Sequence, residues 1–167
     1  MISLQIIDVK IFMSKLLISD TFNKFLVSEA TITTSNTFTI DGHINKDFYS
    51  SEELEENNLI DQTISTWETL KPFCFELIKG KRTPLSFKIV FLLSPVNVTK
   101  LLEQSGTSLT PNDINGLFLN IKYANNSLNC ITGTSLKLFT LDKSFENKWD
   151  HMMKKFFAAH EIPFEEM

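Results

Sequence analysis

The stretch Leu85-Ser-Phe-Lys-Ile-Val-Phe-Leu-Leu93 is the most strand-like in the chain. Its β-branched and aromatic residues suit a pleated, largely buried surface, and no turn residue interrupts them. It runs directly into Ser94-Pro95, a helix cap followed by proline at the first helical position. Val98, Leu101 and Leu102 then follow helical spacing, and Gly106 ends the helix. A strand feeding a helix through a two-residue junction is the unit on which the fold is built.

Downstream, Thr110-Pro111 opens a turn. Leu117–Tyr123 and Leu128–Thr132 read as a hairpin around Asn125-Asn126, because asparagine tolerates the left-handed region. Leu136–Leu141 is predicted as a further strand. Asp142 or Ser144 caps a final helix over 144–160, with Phe145, Trp149, Met152, Met153 and Phe156 on one face. Pro163 closes it.

Upstream, Ile2–Ile7 is a short strand, and Asp8 caps a helix whose Val9, Phe12, Met13 and Leu16 share a face. Phe25–Thr34 and Thr37–Ile44 form a hairpin around Ser35-Asn36, with a third short strand after Gly42, through Ile44 to Phe48. Ser50–Asn58 is polar and acidic, a loop or a frayed helix end. A linker helix follows over about 61–79, carrying Trp67, Leu70, Cys74 and Leu77. Pro72 either kinks it or stands in the first turn of a helix restarted at Thr69.

The two flanks echo each other. Phe25–Phe48 lies over Gly116–Phe139 without a gap, matching Ile40 to Ile131, Gly42 to Gly133, Lys46 to Lys137 and Phe48 to Phe139. Lys15-Leu-Leu stands over Lys100-Leu-Leu. Pseudo-repeats of about 1–49 and 85–141 would each read βαβββ, and the sequence predicts that they superpose about a pseudo-two-fold axis. The fold class is therefore α+β: mostly antiparallel sheet, a duplicated βαβββ in a single domain, with a linker helix and a C-terminal helix. This element order resembles that of a DNA sliding-clamp domain and, more loosely, the duplicated saddle of TATA-binding proteins. The clamp resemblance implies a nucleic-acid role through basic residues on the paired helices, and assembly into a ring. Here those helices offer only Lys10, Lys15 and Lys100.

Several segments together, Ile78-Lys-Gly-Lys-Arg-Thr-Pro84, Ser94-Pro95 with Leu101-Leu102, Ile131-Thr-Gly-Thr-Ser-Leu-Lys137, Phe139-Thr-Leu-Asp-Lys-Ser144 and Trp149-Asp150, resemble an uncharacterised bacterial family of unknown function. The resemblance implies a bacterial cytosolic protein and one compact domain. It brings no activity, substrate or catalytic residue.

Composition bounds the function. The chain has 167 residues, 43% of them hydrophobic and 22% charged, which suits a globular domain and argues against disorder. Fifteen phenylalanines promise an aromatic core. A net charge of −4 opposes a generic nucleic-acid coat. No signal-peptide pattern and no apolar run of membrane length is present, so a cytoplasmic protein without a membrane role is expected. Cys74 and Cys130 sit in apolar runs, as inert core cysteines do.

No catalytic, metal or cofactor motif is present: GxSxG, a Walker loop, GxGxxG and CxxC are all missing, and no cofactor is expected. Asp41, His43 and Asp47 fall on one face of a strand if it is regular, where a solvated edge is the plainer account than a metal site. Glu52, Glu53, Glu55 and Glu56 read as solvated charge, and His151 and His160 as facing water. The four lysines 143, 148, 154 and 155 form the polar side of an amphipathic helix. Lys79, Lys81 and Arg82 place three cations within four residues, at a helix end whose dipole favours them. They are the candidate anion or nucleic-acid contact. The preferred function is a non-enzymatic binding or scaffolding module. The alternatives are an enzyme whose site is assembled from scattered residues, and a protein-interaction domain using a sheet edge or the C-terminal helix, with a homo-oligomer as a further option.

Overall fold

The structure is a computed structural model describing residues 1–167. Seven strands form one sheet: β1 (Ser3–Ile6), β2 (Leu26–Thr33), β3 (Thr37–Asp41), β4 (Ser86–Leu92), β5 (Ile114–Ala124), β6 (Ser127–Leu136) and β7 (Phe164–Glu166). Their spatial order is β3-β2-β4-β5-β6-β1-β7, and every neighbouring pair is antiparallel. Five helices accompany them: α1 (Val9–Leu17), α2 (Ser51–Glu56), α3 (Trp67–Ile78), α4 (Pro95–Ser105) and α5 (Ser144–Ala159). The α+β class with a mostly antiparallel sheet is thus the observed one. No helix is long and apolar enough to cross a membrane.

Alternation sorts the two faces of the sheet. Phe87, Ile89 and Phe91 of β4, with Leu117, Leu119, Ile121 and Tyr123 of β5, enter one continuous cluster of 30 buried residues. Trp67 of α3 meets Phe91 edge-on at 5.3 Å, and Phe12 of α1 meets Phe157 of α5 at 6.2 Å, so the helices and the sheet share this core. The opposite face presents Gln5, Thr31, Lys88, Asn120, Lys122 and Asn129, none of them buried. Val90 and Leu92 are buried on that side, and Leu92 sits between Leu26 and Phe118 in the register.

The local signals act as chemistry demands. Asp8 accepts the Ile11 amide at 3.1 Å and caps α1. Gly106 ends α4 at φ +67°, and Asn125 and Asn126 take φ +52° and +60° in the β5–β6 turn, which matches the twist of a tight hairpin. Of the two readings at α5, Asp142 supplies the side chain, accepting the Ser144 amide at 2.9 Å from outside the helix.

Five expectations need correction. The strand after Gly42 does not form: the chain makes a bridge between His43 and Ile64 and then a 3-10 turn at Lys46–Phe48. Its polar residues offer no face to bury. β6 stops at Leu136, because its partner β5 begins at Ile114 and no strand remains to pair with 137–141; Phe139 and Leu141 are left exposed. The linker helix begins at Trp67 rather than near 61, since Ile64 and Thr66 are drawn into bridges with His43 and Leu26. Thr66, not Thr69, caps it, and Pro72 lies inside the helix. Beyond Pro163 the chain continues as β7, which pairs with β1.

The fifth correction concerns the repeat. Each flank is strand, helix, strand, strand, so βαββ replaces βαβββ. The flanks also pair differently. β4 lies beside β5, its successor, whereas β1 lies beside β6 and β7, with three strands between it and β2. Pseudo-two-fold superposition of 1–49 on 85–141 therefore fails.

Candidate functional site

The largest cleft, about 540 Å³, opens where the α1–β2 connection, the start of α3, the end of β4 and the end of α5 meet. Its near wall is a loop held firmly in place. Lys71 of α3 donates to the Ser19 carbonyl at 3.0 Å and to Asn23 Oδ1 at 2.6 Å. The Glu68 amide donates to the Asn23 carbonyl, and the Trp67 amide to that of Phe25. These bonds present Asp20, Asn23 and Lys24 at the rim.

The floor is aromatic. Phe25 stacks on Phe91 with centroids 5.4 Å apart and planes at 14°. Phe156 meets Phe25 edge-on at 5.5 Å, and the His160 ring lies 4.3 Å from Phe156. His160 Nδ1 is 2.8 Å from the Phe156 carbonyl. A carbonyl only accepts, so Nδ1 carries the hydrogen and Nε2 is left without a protein partner. The far wall is Leu93, Ser94 and Asn97. Asn97 Nδ2 donates to Ser94 Oγ at 2.9 Å, which leaves the Asn97 amide oxygen free.

The cleft thus combines an aromatic floor with hydrogen-bonding groups of both signs. Its volume lies within the range of about 300–1,000 Å³ typical of small-molecule sites. Ser94 and His160 share it, but Ser94 is engaged by Asn97 and His160 by the backbone. His160, expected to face water, is half-buried here, because α5 ends against the aromatic floor. Sequence spacing could not find this site, since its residues come from four separate elements. The only local signal was the Ser94-Pro95 helix start.

The other sequence candidates separate. Asp41 and His43 pair at 2.6 Å, and the His43 backbone amide also donates to Asp41. That amide bond, then the ring bond, hold the Asp41 carboxyl below its usual range. Both residues are exposed, and Asp47 stands apart in the 3-10 turn. No group of three or more His, Cys, Asp or Glu side chains gathers to hold a metal. Glu53 closes a capping box with Ser50 on α2, while Glu52, Glu55 and Glu56 share that exposed helix without burying a side chain. Lys143 pairs with Glu146 and Lys154 with Glu166; His151 faces solvent. Burial pushes the Cys74 thiol up to about 12 and the Cys130 thiol well above its ordinary value, which makes both poor nucleophiles.

The basic turn divides. Lys79, the residue after α3, pairs with Glu76 at 2.9 Å and lies 5.7 Å from the Phe75 ring centre. Lys79 and Arg82 border a second, smaller cavity, of about 230 Å³; Lys81 does not.

A family model described as a family of unknown function, DUF5721, matches residues 15–165. No curated protein and no solved structure matches the chain.

Proposed function

The chain belongs to DUF5721, a family that carries no activity with it, and from the geometry we propose a non-enzymatic binding module whose ligand is a small, planar, polar molecule seated in the large cleft. The observation that carries this proposal is the aromatic floor of Phe25, Phe156 and His160 in the same cleft as the unengaged His160 Nε2 and Asn97 amide oxygen. A planar molecule stacks on such a floor at separations of about 4.5–7 Å between ring centres, while edge groups meet the rim. The rim holds Asp20 and Glu68 against Lys24, so it does not select strongly for one sign of charge. Both thiols are buried and the Ser94 hydroxyl is held by an amide rather than a base, which favours binding over covalent chemistry.

A clamp-like nucleic-acid role is not carried forward. It rested on two equivalent βαβββ halves, and the observed halves are βαββ units with different partners.

Titration of isotope-labelled protein with indole, nicotinamide and adenine, followed by amide chemical shifts, tests the proposal. Saturable shifts at Asn23, Lys24, Ser94, Asn97 and His160 are expected with at least one probe, weakened several-fold in Asn97→Ala and His160→Ala. The probe should be recovered unchanged. Shifts that map elsewhere, or none at millimolar probe, would overturn it.

A further inference from the structure

We propose that the cavity between the first turn of α1 and the α3–β4 turn is a second binding site, for a small anion, phosphate or carboxylate, carried on a short apolar body. This site is independent of the large cleft. The cavity has an apolar lining that includes Ile78, Pro84, Phe87 and Tyr123, and cations from two separate segments: Lys10 from α1, Lys79 and Arg82 from the turn. Phe87 and Tyr123 stack beside each other at 5.2 Å. No Asp or Glu lines the cavity, in a protein whose net charge is −4. Of the three cations only Lys79 forms an ion pair, with Glu76 outside the lining.

Helix electrostatics explains part of this cluster and fails for the rest. Lys79 follows the C-terminus of α3, where the dipole favours a cation. Lys10 is in the first turn of α1, where the dipole opposes one, and that turn contains no acid. Asp8 is committed to the Ile11 amide and lies outside the cavity lining. The fold therefore brings Lys10 toward two other cations at the wrong end of its own helix. An anion in the cavity offsets the unpaired charges of Lys10 and Arg82, and the apolar walls take the body that carries it. About 230 Å³ falls below the usual range of drug-sized sites, which points to a ligand of one ring or a few carbons and not to a polymer lying in a groove.

Calorimetric titration of the full chain at low salt with phenyl phosphate, benzoate and inorganic phosphate tests the site. Saturable binding of phenyl phosphate or benzoate is expected, tighter than that of inorganic phosphate. It should weaken at least tenfold in the double variant Lys10→Gln with Arg82→Gln. Which anion binds tighter identifies the headgroup. Without ligand, Lys10→Gln should raise the melting temperature by about 1–4 °C, as relief of an unfavourable dipole contact does. Absence of saturable binding, equal binding by the double variant, or a lower melting temperature in Lys10→Gln would overturn the proposal. So would micromolar, salt-sensitive binding of a twenty-nucleotide thymidine oligonucleotide lost in the Lys79, Lys81 and Arg82 to alanine variant, which would assign these cations to a nucleic-acid backbone.

Discussion

Trp149 shows how much a single side chain can decide. It is fully buried, and its indole nitrogen donates to the Phe118 carbonyl at 3.1 Å. It therefore ties α5 to β5 by packing and by a bond that would be costly to leave unmade. Trp149→Ala should destabilise the protein by about 3–5 kcal/mol in denaturant unfolding. A loss below about 1 kcal/mol would mean that this face of α5 is not anchored in the core. The role of Trp149 was legible from its spacing with Phe145 and Phe156. The hydrogen bond was not, because Phe118 lies 31 positions away and no local pattern links them.

Among the elements, the echo between the two hairpins is real as a string of residues and misleading as geometry. It aligns Gly42 with Gly133, yet the two have different tasks. A methyl group on Gly42 would stand 1.6 Å from the Val27 carbonyl oxygen, so the backbones approach too closely there for any side chain. A methyl on Gly133 would meet Phe118 Cβ at 3.7 Å, an ordinary contact. Gly42→Ala should thus cost more than about 2 kcal/mol, since strand backbone must move to relieve it. Gly133→Ala should stay within about 1 kcal/mol of the parent and tend to stabilise, as alanine does in a strand interior. Equal losses in thermal unfolding would restore the equivalence of the two hairpins.

For the whole molecule, the decisive feature is where β1 goes. It leaves its own hairpin, β2–β3, and inserts between β6 and β7 at the other side of the sheet. Thr132 exchanges bonds with Ile2 there: its amide donates to the Ile2 carbonyl and its hydroxyl accepts the Ile2 amide at 2.9 Å. β2 likewise needs β4, which begins 53 positions after β2 ends (Thr33 to Ser86), beyond the reach of any local hairpin rule, and the two pair over seven positions from Leu26 to Thr33. Each flank is therefore completed by the other. Fragments 1–80 and 81–167 should each lack cooperative unfolding and regain it when mixed. A fragment that melts cooperatively by itself would show that the flanks are separate folding units.

Strands, caps and tight turns were readable along the chain because each depends on neighbours a few residues apart. The alternation of β4, the Asp8 cap, the Ser94-Pro95 start and the Asn125-Asn126 turn are all of this kind. The strand order, the close approach at Gly42 and the β7 edge depend on segments that meet only after the core has assembled, so a repeat in sequence could not predict them. The two cavities follow the same rule. The large one draws on residues 20–25, 68, 93–97 and 152–160, and the basic one adds Lys10 to a turn more than sixty residues further along. Spacing can announce a site carried by one loop. A site distributed over four elements exists only once burial of the aromatic core has fixed where those elements end.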